Sequence, residues 1–166
     1  MNLIRHVEDQ CWDVLAQVSD PEIPVLSVLD LGMIRGVEIN PQDEIIVRLT
    51  PTYSGCPATD LLKAEITQAF TAHELTPVKV VVDLSEAWTT DWMSEEGKQK
   101  LQQYGIAPPK GGSNSCGTHV ALSDGIQCPH CHSHHTRLLS EFSSTACKAL
   151  YKCQECLEPF DYFKCI

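Results

Sequence analysis

Two pairs of cysteines near the end of the chain have the spacing of a metal site. Cys128 and Cys131 are separated by two residues, as are Cys153 and Cys156, and 21 residues lie between the pairs. Two intervening residues let one tight turn present both sulfurs to a single ion, and a second such turn completes a tetrahedron. We expect a structural zinc site closed by four thiolates, although a tetrahedral sulfur site also accepts iron.

Metal binding would explain how so short a segment folds. About forty residues bury too little apolar surface to be stable alone, and a bound zinc ion contributes about 10–16 kcal/mol in small peptides. We therefore expect a zinc ribbon over residues 126–166. Its apolar layer is predicted to consist of Tyr151, Phe160, Tyr162 and Phe163. The sequence assigns no role to Cys116, Cys147, Cys165 or the histidines between His130 and His135.

A second candidate for chemistry is Cys56, which lies between the apolar strand Ile45–Thr50 and the amphipathic helix Ala58–Phe70. Pro57 suits the first helical position, which places Cys56 at or next to the N-cap. Free backbone N–H groups and the helix dipole favour a thiolate there. A thiolate is a nucleophile and a soft metal ligand. The alternative is a small buried cysteine that closes a turn and does no chemistry.

Four polar residues are candidates to support this thiol. Thr50 and Ser54 could donate hydrogen bonds to a thiolate or a bound ligand, or satisfy backbone groups of the turn instead. Asp20 and Glu22 belong to an acidic turn that the fold could bring close to the thiol. The cysteine loop contains no histidine to serve as general base, so we do not expect an enzyme.

The elements around these residues predict a small α/β domain. A helix over Ile4–Val18 precedes an antiparallel hairpin of Met33–Ile39 and Ile45–Thr50. The helix after the hairpin and a buried strand, Val78–Val82, form a parallel crossover. The order α-β-β-α-β gives a mixed three-stranded sheet. One side of the crossover helix is predicted to be buried, with Ala58, Leu61, Leu62, Ile66, Ala69 and Phe70 on it.

The composition divides the chain into three parts. A last helix over Ser94–Tyr104, capped by Ser94, ends the α/β domain at residues 1–104. Residues 105–125 contain a run rich in proline, glycine and serine, which is typical of a linker. The zinc ribbon then occupies residues 126–166.

Charge and hydropathy limit the classes of partner. The chain has 12 lysine and arginine residues against 22 aspartate and glutamate residues, a net charge of −10. No basic footprint for nucleic acid is present, and the longest apolar run is too short to span a membrane. The N-terminus lacks the pattern of a signal peptide, so we expect a cytoplasmic protein. Nine cysteines in that compartment indicate metal or thiol chemistry rather than disulfides.

Four segments in combination resemble the MIP18 family, which is linked to iron–sulfur cluster assembly and protein maturation. They are Asp20–Pro24, Asp30–Ile34, Thr50–Ala58 and the post-strand segment Trp88–Met93, and the resemblance spans roughly residues 5–103. It implies that Cys56 holds or passes iron or an iron–sulfur cluster. Such clusters normally take four protein ligands, so a homodimer or the ligands of a client protein would have to complete the site.

The C-terminal segments narrow the resemblance. Cys147–Cys153 and Pro159–Lys164 are similar to the PaaD-type family, which belongs to the phenylacetyl-CoA epoxidase system. This implies an accessory role in aerobic phenylacetate degradation, with the di-iron oxygenase or the iron–sulfur reductase as partner. A non-catalytic interaction subunit and an electron-transfer component are the alternatives.

Overall fold

A computed structural model describes residues 2–110 and 125–165, and the chain divides into two compact units between Trp88 and Thr89. The first unit has the predicted element order α-β-β-α-β. Its elements are α1 (Asn2–Leu15), β1 (Ile34–Ile39), β2 (Ile45–Leu49), α2 (Ala58–Ala72) and β3 (Val78–Val82).

The three strands form the predicted mixed sheet, with β2 in the centre. β1 pairs with β2 antiparallel, and β3 pairs with β2 in parallel. Because parallel neighbours run in the same direction, the chain must cross from the end of β2 back to the start of β3, and α2 makes this crossing. The loop of residues 50–57 therefore lies at the carboxyl end of the central strand.

Helix α2 buries a narrower stripe than the sequence predicts. Leu62, Ile66 and Phe70 are fully buried at a spacing of four residues. The prediction for Leu61 is wrong, because this side chain is 48% exposed. Successive residues turn by about 100° around a helix, so Leu61 lies off the stripe that Leu62 occupies.

Two other expectations differ in detail. Helix α1 ends at Leu15, and it is followed by a turn at Ala16 and Gln17 and not by further helix up to Val18. Strand β3 was predicted to be buried, but its residues alternate between half-buried and exposed, with Val81 37% exposed. The reason is its position at the edge of the sheet, where it pairs only with β2.

The second unit is a four-stranded sheet preceded by a helix. Its elements are α3 (Glu95–Tyr104), β4 (Ile106–Ala107), β5 (Thr136–Ser140), β6 (Lys148–Cys153) and β7 (Pro159–Phe163). The strand order is β4-β7-β6-β5. As predicted, the Ser94 hydroxyl caps α3 by accepting a hydrogen bond from the backbone N–H of Gly97 at 2.9 Å.

The start of the predicted linker requires a correction. Ile106 and Ala107 are not part of a linker, because they form β4 and pair with Asp161 and Tyr162 of β7. A two-residue strand is too short to produce an alternating pattern in the sequence. Residues 111–124, which include most of the predicted linker and Cys116, lie outside the described part of the chain.

The helices among the described residues are all too short or too polar to cross a lipid bilayer.

The stripe on α2 gives a direct test of the packing. Leu62→Ala should lower the free energy of unfolding by about 2–5 kcal/mol, because it leaves a cavity in the core. The neighbouring change Leu61→Ala should cost less than about 0.5 kcal/mol, since that side chain is largely in solvent. Equilibrium urea denaturation followed by tryptophan fluorescence measures both; equal losses would contradict the placement of α2.

Candidate functional site

The four predicted metal ligands come together in the second unit. The sulfur atoms of Cys128, Cys131, Cys153 and Cys156 all lie within 4.8 Å of one another. The Cys131 and Cys153 sulfurs are 3.5 Å apart, and those of Cys128 and Cys156 are 3.7 Å apart. Tetrahedral bonds of about 2.3 Å to a zinc ion would place the sulfurs about 3.8 Å apart. The site therefore fits a zinc-sized ion with four thiolate ligands.

Two tight turns present these sulfurs. In the first, the backbone N–H of His132 donates to the Cys128 carbonyl at 2.9 Å, and His132 has a left-handed φ of 63°. In the second, the N–H of Cys153 donates to the Glu158 carbonyl at 3.0 Å, and Leu157 has a φ of 65°. The first turn precedes β5, and the second begins at the end of β6. Because β5 and β6 pair antiparallel, the two turns lie at the same end of the sheet.

The surroundings shift the pKa values of the four-cysteine site in different directions. Burial opposes ionisation of Cys153, but backbone N–H groups of Cys156 and Glu155 lower its pKa to about 6. The N–H of Glu158 acts in the same sense at Cys156, yet burial and the neighbouring thiols raise the pKa of Cys156 to about 12. Burial also raises the pKa of Cys128. Four thiolates can therefore coexist here only when a cation neutralises their repulsion.

The metal ligands are also part of the small apolar core. Cys128 and Cys153 are fully buried and belong to one cluster with the side chains of Ala107, Ile126, Ala149, Phe160 and Tyr162. The Tyr151 ring packs against this cluster, with ring centroids 6.0 Å from Phe160 and 5.7 Å from Tyr162. Binding of a metal and formation of this core are therefore coupled.

Cys56 lies at the start of α2 and is buried, with 8% of its surface exposed. Pro57 is the N-cap residue, with helical φ and ψ of −65° and −23°, so Cys56 precedes the cap by one residue. The Cys56 N–H donates to the Tyr53 carbonyl at 3.2 Å, and its own carbonyl accepts from the N–H of Thr59 at 3.1 Å. Gly55 supplies the turn with a φ of +84°.

The loop that carries Cys56 is tied at its root by Thr50. The Thr50 hydroxyl donates to the carbonyl of Asp83 at 2.9 Å, and its N–H donates to the carbonyl of Met33 at 2.8 Å. Thr50 thus joins the loop to the segments after β3 and before β1. Trp88 joins those two segments to each other, because its indole N–H donates to the Leu31 carbonyl at 2.8 Å. The sequence motifs include Trp88. They do not indicate Asp83, because it accepts the Thr50 hydrogen bond with its backbone carbonyl, which every residue type has.

The other predicted supporting residues have different surroundings. One Asp20 carboxylate oxygen accepts from the N–H groups of Glu22 and Ile23, at 2.9 and 2.8 Å. Asp20 lines a cavity with Glu65 and other residues from the second half of α2. Along the helix, Glu65 is about 13 Å from Cys56, at a rise of 1.5 Å per residue. Ser54 is exposed on the loop.

The remaining cysteines and histidines do not extend the metal site. Among residues 2–110 and 125–165, the four ribbon cysteines are the only group of three or more potential ligands within reach of one ion. Cys147 is buried, with its sulfur 3.1 Å from the hydroxyl of Thr145. Cys165 is disulfide-bonded, which contradicts the expectation that the cysteines serve metal or thiol chemistry rather than disulfides. His135 lies 3.0 Å from a Glu155 carboxylate oxygen on the exposed surface.

Fold and site thus define a two-part protein, in which an α/β unit with a buried loop thiol is joined to a ribbon with a four-cysteine metal site. Residues 8–82 match the iron–sulfur cluster assembly protein family, and residues 112–164 match the PaaD zinc beta ribbon domain. The chain is 53% identical, over 95% of its length and 92% of the relative's, to an Escherichia coli K12 protein. That protein is provisionally named the D component of 1,2-phenylacetyl-CoA epoxidase.

The chain therefore belongs to the PaaD family, as its sequence motifs predict. A Porphyromonas gingivalis protein named an Fe-S protein maturation auxiliary factor is 32% identical over 60% of this chain and 95% of its own. The crystal structure of a DUF59 domain of unknown function from Bacillus anthracis matches with a TM-score of 0.54 at 22% identity. The match covers 58% of this chain and 92% of the domain, so it supports the fold of the first unit.

The ribbon geometry predicts which cysteines hold the metal. Cys153→Ser should reduce bound metal from one ion per chain to a small fraction, because one ligand and part of the core are lost. Cys147→Ser, a change six residues earlier at a buried cysteine outside the cluster, should leave the metal content unchanged. Metal analysis of the purified variants measures both, and full metal content in Cys153→Ser would refute the assignment.

Proposed function

We propose that this protein is an accessory maturation factor of a phenylacetyl-CoA epoxidase system. It assists the assembly of an iron or iron–sulfur centre in the oxygenase or the reductase and does not itself catalyse the epoxidation. One observation carries the proposal: a single chain, 53% identical to a protein named as part of that epoxidase, joins a unit of the iron–sulfur cluster assembly family to the four-cysteine ribbon.

Cys56 is the residue proposed to contact the iron centre. It lies in the unit that matches the assembly family, at the end of the central strand and the start of a helix. A cluster normally takes four protein ligands, so one thiolate cannot retain it alone. The remaining ligands come from the client protein or from a second copy of the chain, which makes the contact transient. Asp20, Glu22, Thr50 and Ser54 remain the proposed supporting residues.

The ribbon is proposed to bind zinc and to dock the client. Four sulfurs close a tetrahedral site and leave no position open for substrate, which is the arrangement of structural zinc. The ribbon also exposes large apolar side chains: Leu139 is 44% exposed, Phe142 62% and Leu157 63%. Phe142 is the best candidate for a docking contact among them, because aromatic side chains are enriched at protein interfaces.

Charge supports a protein partner with a basic surface. The net charge of −10 attracts such a surface over a distance of about 8–10 Å at physiological salt. The same charge disfavours nucleic acid and anionic lipid as partners.

Removal of the Cys56 thiol tests this proposal. In cells whose only copy of this protein carries Cys56→Ser, iron in the client oxygenase or reductase should fall by about tenfold. Tenfold is the lower end of the range for losing a group that helps to bind a metal. Cys11→Ser, which changes a buried cysteine in α1 of the same unit, should leave the client fully loaded. Metal and acid-labile sulfide analysis of the purified client measures the effect.

The same experiment separates maturation from a purely structural role. A non-catalytic interaction subunit predicts that Cys56→Ser still co-purifies with the epoxidase and that the client keeps all of its iron. That result would reject the maturation role of Cys56, whereas loss of client iron with intact co-purification supports it.

A further inference from the structure

The thiol loop, residues 50–57, hides the sulfur that the proposed function requires. Cys56 is 8% exposed, whereas Ser54, Gly55 and Pro57 around it are exposed. With so little of Cys56 exposed, a change in the loop would open its sulfur to a metal centre on another protein. The residues that hold the thiol loop therefore decide how often Cys56 becomes available.

The root of the thiol loop is held by a buried side chain. Thr50 is 2% exposed, and its hydroxyl donates to the Asp83 carbonyl across the end of the sheet. Its backbone also holds the loop, because the Thr50 N–H donates to Met33. The hydroxyl bond is the one that a side-chain substitution can remove, so it can be tested separately from the backbone.

The acceptor of this bond is itself held in place. The backbone N–H of Asp83 donates to the carbonyl of Leu49 at 2.9 Å, which extends the pairing of β2 with β3. A few residues later, Trp88 is 3% exposed and is bonded to the Leu31 carbonyl. The segment from Asp83 to Trp88 is thus held by a hydrogen bond at each end, and Thr50 joins the thiol loop to its first residue.

We propose that the hydrogen bond from Thr50 to Asp83 is a latch that keeps the thiol loop closed over Cys56, and that its release exposes the sulfur to an incoming metal centre. This inference rests on the proposed function for its purpose, but the latch itself is a property of the isolated chain. Thr50 is then a positioning residue, which acts through the loop and does not touch the metal.

The latch predicts a local opening of the loop that is separate from global unfolding. A buried thiol reacts with an alkylating reagent only in open states, so its rate reports the population of those states. Thr50→Val keeps the shape of the side chain and removes the donor. Loss of a typical hydrogen bond should raise the Cys56 alkylation rate about fivefold.

The experiment measures iodoacetamide alkylation of the zinc-loaded full chain, resolved by peptide mass spectrometry. Cys11 in α1 is fully buried and serves as the internal reference for global unfolding. Thr67→Val is the matched control, because it makes the same change at an exposed threonine whose hydroxyl donates to the Lys63 carbonyl within α2. Val14→Ala destabilises the core without altering Thr50.

The latch predicts a distinct pattern in the two rates. In the unaltered chain, Cys56 should react faster than Cys11, and low urea should leave the Cys56 rate unchanged. Thr50→Val should raise the Cys56 rate about fivefold, whereas Thr67→Val and Val14→Ala should not. Thr50→Ser, which retains the hydroxyl, should restore the original rate. The latch is refuted if Thr50→Val leaves the Cys56 rate unchanged, or if Val14→Ala raises it equally.

A second variant covers the case in which Thr50→Val does not fold. Trp88→Phe keeps an aromatic side chain but removes the N–H that anchors the segment from Asp83 to Trp88, so it should also raise the Cys56 rate, with Trp12→Phe as control. An unchanged rate in Trp88→Phe would then refute the latch. Client iron after Cys56→Ser tests the proposed function separately, so either idea can fail while the other stands.

Discussion

The parallel pairing of β2 with β3 is the constraint from which the arrangement of the first unit follows. It requires the chain to leave the carboxyl end of β2, run back along the sheet as α2 and enter β3 in the same direction. The loop with Cys56 must therefore lie where the central strand ends and the helix begins. The same pairing carries the chain after β3 past Thr50, so Asp83 becomes available to hold the loop.

The ribbon is stabilised in a different way. Its core is a small cluster that includes two of the four metal ligands, so the apolar contacts and the metal bonds depend on each other. Thiols in this position do not all ionise without a cation: the Glu158 N–H lowers the pKa of Cys156, but burial and hydrogen bonds with the neighbouring thiols raise it to about 12. The metal thus supplies both the charge balance and the connection between the two turns.

The sequence predicted the features that depend on local spacing. The hairpin, the crossover, the cap at Ser94 and the four cysteine ligands all follow from periodicity, turn residues or the two-residue cysteine spacing. It did not predict the two-residue strand β4, which is too short to have a period, or the exposure of Leu61, which depends on how α2 rotates against the sheet. The hydrogen bond from Thr50 to the Asp83 carbonyl could not be predicted from the sequence either, because any residue type provides a backbone acceptor.

We propose that the Cys56 sulfur contacts iron destined for a client protein. The most direct measurement is anaerobic alkylation of Cys56 in a mixture with the iron-free client, before and after ferrous iron is added. Iron should slow alkylation of Cys56 and leave Cys11 unaffected, because the metal would occupy the Cys56 sulfur. Equal rates at Cys56 with and without iron, in a mixture where the client does take up the metal, would contradict it.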